Sequence, residues 1–424
     1  IEGQEAAAFE LSERMALHAV PGVSVAVLRD GALDWARAYG VADVSTGRPL
    51  NTSTIFQAAS ISKPVAAMAA LRLVEDGQVT LDANVNDFFR SWQVPDNNFV
   101  ADRDVTLRGL LTHTAGLSVS GFPGYPAGAP IPTAIEVLDG SGATNTDPVR
   151  PVAAPGSEWS YSGGGYTALQ VLMEDLSGVP FTDFLQATVL APLEMERSFF
   201  GLELEQERAD EAAFGHRPDG TRVEGGWHRY PELAAAGLWT TPTDLLKWGV
   251  EVLESADGNS NRVLSQEMTV AMLDPGMGDW GLGPEISSDG LRFLHTGGNQ
   301  GYRCLLAVSK DGSVGVAVMT NSDNGGVLMT EIAFAVARVY GWEGEGLEPQ
   351  VRTVASIDPS EFADFVGHYP APGDRQIVVT LEEGRLFAES EWFRKQEAFA
   401  ESENEFFLLH GGTGLRFAQE NGAA

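Results

Sequence analysis

The chain has little cysteine, little lysine and no long apolar run. Cys304 is the single cysteine, which excludes an intrachain disulfide framework and a cysteine-built zinc site. No stretch of 18 or more apolar residues occurs, so nothing reads as a transmembrane helix and no membrane insertion is expected. No basic stretch followed by a short apolar run precedes the first elements. The chain is therefore read as soluble, its compartment open between cytoplasm and, after processing, periplasm or exterior. The G-x-S-x-G, H-E-x-x-H and P-loop motifs are absent. The seven histidines show no metal-ligand spacing, so neither a metal nor a cofactor is expected. Positive charge is scarce: 27 Lys plus Arg stand against 59 Asp plus Glu, a formal charge of −32. Such a surface repels nucleic acid and anionic membranes and favours solubility at high salt. Only Lys63, Lys247, Lys310 and Lys395 are lysines.

What is present suffices for a large core: 424 residues, 43% hydrophobic and 9% aromatic. Apolar periodicity and turn residues give the coarse order. Glu5–His18 reads as a helix. Val23–Arg29 and Leu33–Tyr39 read as strands joined by Asp30-Gly31, a hairpin pair. Ser60–Asp76 reads as a helix stopped by Gly77, and Leu107–Leu111 as a short one. Residues 118–151, rich in Gly, Pro, Ala and Thr, read as a functional loop or lid. Helices are expected over Tyr166–Leu176, Thr182–Leu190, Thr241–Leu253 and Val327–Tyr340, with strands at 302–309 and 313–320. This order implies an antiparallel sheet flanked by helices with a helical subdomain, an α/β fold of the α+β type. Residues 343–360 read as a linker between a domain at 1–342 and a smaller one at 361–424. The latter holds five short strands: Gln376–Leu381, Arg385–Ser390, Gln396–Ala400, Glu405–Leu409 and Gly414–Ala418, a small antiparallel meander or barrel.

Chemistry points to Ser60-Ile61-Ser62-Lys63. A serine and a lysine three apart share one helix face, about 5–6 Å between Cβ atoms. Serine needs a base, and lysine becomes one only when burial or a neighbouring cation lowers its pKa. At a helix start, Ser60 also offers a backbone N–H to an oxyanion. The four letters alone are weak. With four lysines, chance gives S-x-x-K in roughly a quarter of such chains at average serine usage.

The surroundings are more specific. PGVSVAV at 21–27, SISK at 60–63, VTLRGLLTHTAGL at 105–117, GSEWSYSGGGY at 156–166 and HTGGNQGYR at 295–303 occur in that order. Together they resemble the serine β-lactamase/penicillin-binding-protein superfamily over about residues 10–342. The closer likeness is to its branch of class C β-lactamases, D-alanyl-D-alanine carboxypeptidases, D-aminopeptidases and β-lactamase-like esterases. The terminal strands resemble an accessory domain of some members. The resemblance implies a β-lactamase/DD-peptidase-like fold with the site between sheet and helical subdomain. It implies Ser60 as the acylated nucleophile, Lys63 as its base and Tyr161 as a proton relay. His295 stands at the Lys/His-Thr-Gly strand position, followed by Thr296 and Gly297. The backbone N–H groups of Ser60 and Gly298 are expected to form the oxyanion hole. The family's Tyr-x-Asn asparagine is replaced by Gly163, which fits a site less specific for amides.

Other residues carry expectations of their own. Trp239, Phe122, Tyr125 and Trp159 are candidates for the substrate pocket, in competition with core packing. His113 is expected to tie the loop after Leu111, and Cys304 to be an inert core thiol. Ser322-Asp323-Asn324 is expected to be a turn. The reading is a metal-free serine hydrolase acting through an acyl-enzyme on a small-molecule or short-peptide substrate. A peptidase or amidase for small residues, D-configured ones included, comes first. A carboxylesterase for short acyl esters is the alternative, and a sensor or scaffold that acylates without turnover is the third. Oligomeric state is left open.

Overall fold

Asp30 (φ 50°) and Gly31 (φ 75°) both lie in the left-handed region, as a type I′ hairpin turn requires. They reverse the chain between β1 (Gly22–Arg29) and β2 (Ala32–Asp43). A computed structural model describes residues 9–344, 352–371, 375–390, 395–408 and 414–417. The chain divides into two compact units, Val20–Leu347 and a second made of Ile1–Ala19 with Glu348–Ala424. The N-terminal helix is α1, Leu11–His18; the part of the expected helix before residue 9 lies outside the described residues.

In the larger unit the remaining strands are β3 (Arg48–Pro49), β4 (Phe56–Gln57), β5 (Phe199–Phe200), β6 (Leu238–Thr240), β7 (Glu285–Ile286), β8 (Arg292–Asn299), β9 (Tyr302–Ser309) and β10 (Val314–Thr320). Seven of them form one sheet in the order β3-β2-β1-β10-β9-β8-β7, all neighbours antiparallel. Both ends of the unit thus meet at the β1–β10 pair, where Val23 faces Thr320 and Arg29 faces Val314. Every residue of β10 and all but the last of β1 are buried, so both faces of the sheet's centre are covered. A second small sheet runs β4-β6-β5.

The helices of this unit are α2 (Ser62–Glu75), α3 (Leu107–Leu111), α4 (Ala134–Asp139), α5 (Gly163–Ser177), α6 (Phe181–Leu185), α7 (Gln206–Glu211), α8 (Leu233–Ala236), α9 (Pro242–Ala256), α10 (Gln266–Met272) and α11 (Gly325–Tyr340). Helices α9 and α11 pack on the large sheet. The α9 start follows sequence chemistry: Thr241 caps the Asp244 N–H and Pro242 stands at the first turn. Helix α2 packs against α5 and α8 and is buried nearly all round, which marks it as a central helix. The single helix expected over Thr182–Leu190 is instead α6 followed by a π-helical stretch, Gln186–Leu190.

The excursion at 118–151 is tied down along its length. Its ends pair through Leu117 and Pro151, and Tyr125 bridges to Arg229. Helix α4 within it begins with a capping box between Thr133 and Glu136. An open lid is therefore not what the structure shows.

The smaller unit carries six strands in sequential antiparallel order: β11 (Gly367–Ala371), β12 (Arg375–Glu382), β13 (Arg385–Ser390), β14 (Gln396–Ala400), β15 (Glu405–Leu408) and β16 (Gly414–Arg416). Val379, Leu386, Ala388, Ala398, Phe406 and Leu408 form its core. The sequence pattern predicts five strands and misses β11, because Pro370 interrupts it. As an edge strand β11 accommodates a proline, whose missing N–H costs no inner ladder bond. Positions 409 and 418, expected strand ends, lie outside the described residues.

Candidate active site

Ser60 is the middle residue of a 3-10 turn, Ala59–Ile61, that feeds into α2. The helix proper starts two residues later than the sequence suggests, because Ala59 holds φ 50°, a strained conformation for a residue with a Cβ. Ser60 stays partly exposed, whereas Ser62 and Lys63 are buried. One turn on, Lys63 Nζ donates to Ser60 Oγ at 3.0 Å and to the Ala235 carbonyl at 3.0 Å. Strand β8 backs this turn at backbone distance. A Cβ on Gly297 would stand 2.2 Å from the Ala58 carbonyl oxygen and 3.2 Å from the Ala59 Cβ. Gly297→Ala is accordingly expected to destabilise the fold by about 2–3 kcal/mol through overpacking. Denaturant midpoints of the variant and the parent protein check this; equal midpoints would show that the strand can retreat.

Around Lys63 the structure gathers Tyr161, His295 and His113. The ammonium nitrogen lies 4.8 Å from the Tyr161 ring centre and 5.7 Å from that of Tyr166. Among the described residues no carboxylate pairs with it, and burial pulls its pKa down to about 7. Burial pushes the Tyr161 phenol upward, partly countered by its contact with the Ser60 side chain. Tyr161 is therefore a neutral phenol at pH 7. His295 is buried, and burial followed by the Lys63 charge holds it down at about 3. Its Nδ1 stands 2.6 Å from the Thr296 carbonyl. Since a carbonyl only accepts, Nδ1 carries the proton and Nε2 is a bare acceptor. That Nε2 is buried with no hydrogen-bond partner among the described residues. His113 is opposite in tautomer: its Nδ1 accepts the Ser162 N–H at 3.1 Å, which leaves the proton on Nε2. Its ring lies 4.3 Å from that of Tyr161.

Three comparisons bear on this arrangement. The Beta-lactamase family model matches residues 10–340. The chain belongs to the Beta-lactamase family. Esterase EstB of Burkholderia gladioli is 33% identical over 217 residues, 48% of this chain and 53% of that protein. The D-aminopeptidase of Brucella anthropi is 25% identical over 395 residues, 86% of this chain and 71% of that protein. The octameric penicillin-binding protein homologue from Pyrococcus abyssi superposes with a TM-score of 0.65 at 24% identity, over 95% of this chain and 93% of that one. The protein is thus a serine hydrolase of the β-lactamase/penicillin-binding-protein superfamily.

Against that family background the remaining expected residues separate. Gly163 opens α5 two residues after Tyr161, behind the N-cap Ser162, and the excursion lies on it. The Gly163 and Gly164 N–H groups, orphans of a first helical turn, donate to the carbonyls of Ser120 and Val119. A Cβ at Gly163 would meet the Phe122 ring at 2.9 Å and the Ser120 oxygen at 3.1 Å. Phe122 therefore occupies the space that a side chain at 163 would need. Trp159 stands at the rim, its ring 6.5 Å from Tyr161 and 5.4 Å from Trp280. Thr296 and Gly298 are exposed on β8. Strand β7 reaches only Leu294, so from His295 onward the outer edge of β8 has no partner strand among the described residues. Trp239 is not brought to the site. It is buried against Phe199, Trp227 and Tyr302 with Ile55 and Ala212, a core position on the inner strand of the small sheet. Tyr125 is buried; its backbone pairs with Arg229 and its hydroxyl accepts the Asn145 N–H at 3.2 Å, which ties it within the excursion rather than to Ser60. Cys304 is buried, its thiol pushed up to about 12. Ser322–Asn324 forms the expected turn, and Asp323 also accepts from the Gly301 N–H and Gln300 Nε2 and pairs with Arg303, bracing the β8–β9 reversal.

Sequence reasoning missed three contributors. The Ala235 carbonyl is a backbone group with no side-chain signature. Trp280 packs on both Tyr161 (5.7 Å) and His295 (5.5 Å) from 119 residues beyond Tyr161. The contact of His113 with Tyr161 was also missed, although its hydrogen-bonding role at the loop was legible.

Proposed function

We propose that the protein hydrolyses amides or peptides of small amino acids, D-configured ones included, through an acyl-enzyme on Ser60. The observation that carries this is the 3.0 Å contact between Ser60 Oγ and a buried Lys63 Nζ that has no carboxylate partner among the described residues. A lysine so placed loses its proton near neutral pH and serves as base. In this reading Ser60 Oγ attacks the acyl carbon as its proton passes to Lys63. The oxyanion is held by the Ser60 and Gly298 N–H groups. The neutral Tyr161 phenol gives its proton to the departing amine and regains one from Lys63. Water then attacks the ester with Lys63 again as base. Buried and neutral, His295 keeps a second positive charge away from Lys63 and presents Nε2 as an acceptor. Thr296, Gly297 and the free edge of β8 would line the substrate, with Phe122 and Trp159 as apolar walls. The similarity to a D-aminopeptidase supports the substrate class.

One observation favours the ester reading. The Phe122 ring and the Ser120 carbonyl fill the space above Gly163, so no side-chain amide is there to grip an acyl amide, and the similarity to an esterase agrees with it. The two are separated by kcat/KM for p-nitrophenyl butyrate and for D- and L-alanine p-nitroanilide. Cleavage of the D-anilide in preference to the L-anilide is expected. Turnover of the ester alone would replace the amidase reading with the esterase one. A single burst with no further release would mark a protein that acylates without turnover.

A further inference from the structure

His113 is a buried residue that the acyl-transfer steps leave unused. It is 1% exposed, and its φ of 60° is left-handed. In a residue with a Cβ that backbone is strained, and such strain gathers at functional sites. Tyr161 lies between two residues that His113 holds. The His113 backbone carbonyl accepts the Ser160 N–H at 2.9 Å, and its ring Nδ1 accepts the Ser162 N–H at 3.1 Å. One residue thus fixes the chain on both sides of Tyr161. The imidazole also meets the phenol ring itself, at 4.3 Å between centres and 35° between planes.

The holder is itself held. His113 stands two residues beyond α3, whose Leu111 carbonyl accepts the Tyr166 hydroxyl at 3.0 Å. Ser162 is tied by its side chain as well: its Oγ donates to the Ser118 carbonyl at 3.1 Å and accepts the Gly165 N–H at 2.8 Å. Trp280 stands edge-on to both rings, 5.7 Å from Tyr161 and 4.9 Å from His113. The imidazole is more than filler. Its Nε2 is buried with no hydrogen-bond partner among the described residues, at a cost of about 1–3 kcal/mol that a phenyl ring would not carry. What the imidazole adds is the acceptor for Ser162. Burial, then the Lys63 charge, keeps it neutral, so Nδ1 stays free to accept.

We propose that His113 is a positioning residue: by holding Ser160 and Ser162 and packing on the ring between them, it aims the Tyr161 hydroxyl at the departing group. The inference rests on the Ser60 acyl-enzyme reading with Tyr161 as proton donor. In that step the bond from the acyl carbon to the leaving atom breaks as the phenol proton passes to that atom. The phenol is in contact with the Ser60 side chain, so a small tilt of its ring takes the proton off line. A misplacement of about 1 Å can cost about 10²-fold in rate.

The test compares p-nitrophenyl butyrate, whose phenolate leaves without a proton, with ethyl butyrate and D-alanine p-nitroanilide, whose leaving groups need one. The two butyrates form the same acyl-enzyme, so they differ only in that departure. Three variants join the parent protein. Tyr161→Phe removes the donor. His113→Asn keeps an acceptor, suits a positive φ and loses the ring; His113→Phe keeps a ring and loses the acceptor. Tyr161→Phe should raise the kcat/KM ratio of the p-nitrophenyl ester to the proton-requiring substrates by about 10²-fold. Each His113 variant should raise it at least about tenfold, with the loss on the proton-requiring substrates in kcat rather than KM. In the Tyr161→Phe background the same changes should move the ratio by no more than about twofold, because the group they position is gone. A rise in either His113 variant that vanishes in that background supports the proposal. A ratio that neither variant moves, or effects that add to that of Tyr161→Phe, would assign His113 to the fold alone and overturn it, as would failure of both variants to fold. A ratio unmoved by Tyr161→Phe is a different result: it removes Tyr161 as proton donor, and the positioning role falls with that reading.

Discussion

Ser60→Ala is expected to lower kcat/KM toward every acyl substrate by about 10⁵–10⁶-fold, the loss typical of removing the nucleophile from an acyl-transfer site. The geometry leaves no substitute. Ser62, the nearest hydroxyl in sequence, is fully buried and already accepts the Leu238 N–H at 2.9 Å. The phenol of Tyr161 is held protonated by burial. The fold should scarcely register the change, because the half-buried Ser60 Oγ gives up only its contacts with Lys63 and Tyr161, about 1 kcal/mol for each hydrogen bond. Activity and melting temperature measured on the same preparation therefore check the assignment together. Retention of more than a few per cent of activity would place the nucleophile elsewhere. Loss of activity with loss of folding would show that Ser60 holds the turn rather than reacts.

The residues legible from sequence are those whose roles are set locally or by an ordered motif. SISK places a lysine one turn from a serine because the chain is helical there, and α2 bears that out to within two residues. The hairpins follow from Asp-Gly pairs, the α9 start from Thr241-Pro242. What was illegible depends on contacts between distant segments. Lys63 is held by a backbone carbonyl 172 positions away, and no side-chain pattern encodes a carbonyl. Trp239 looked like a pocket residue because it is aromatic and near a helix start. In the fold the inner strand of a three-stranded sheet buries it. Gly163 was legible as a departure, but not its cause: the Phe122 ring and the excursion backbone occupy its side-chain space.

Lys63→Met should produce the opposite pairing of effects from an ordinary core substitution: a dead enzyme that is more stable. Loss of the base is expected to lower kcat/KM by about 10⁴-fold, the upper range for general base catalysis. The stability effect follows from linkage. Burial lowers the Lys63 pKa from 10.5 to about 7 in the folded protein, so the charged form is disfavoured there and free in the unfolded chain. Folding thus carries its full penalty below pH 7, where lysine is protonated in both states. The penalty shrinks as pH rises between 7 and 10.5 and vanishes above. Methionine removes it, offset by the lost hydrogen bonds to Ser60 and Ala235. The net gain at pH 7 is about 3 kcal/mol, and it should disappear by about pH 10. The same deprotonation makes kcat/KM of the parent protein rise with pH through about 7 and then level. Urea denaturation at pH 6, 8 and 10 beside a pH–rate profile reads all three. A stability difference that does not change with pH, or a rate flat between pH 6 and 8, would mean that Lys63 stays charged in the fold. Its contact with Ser60 would then position the serine without taking its proton.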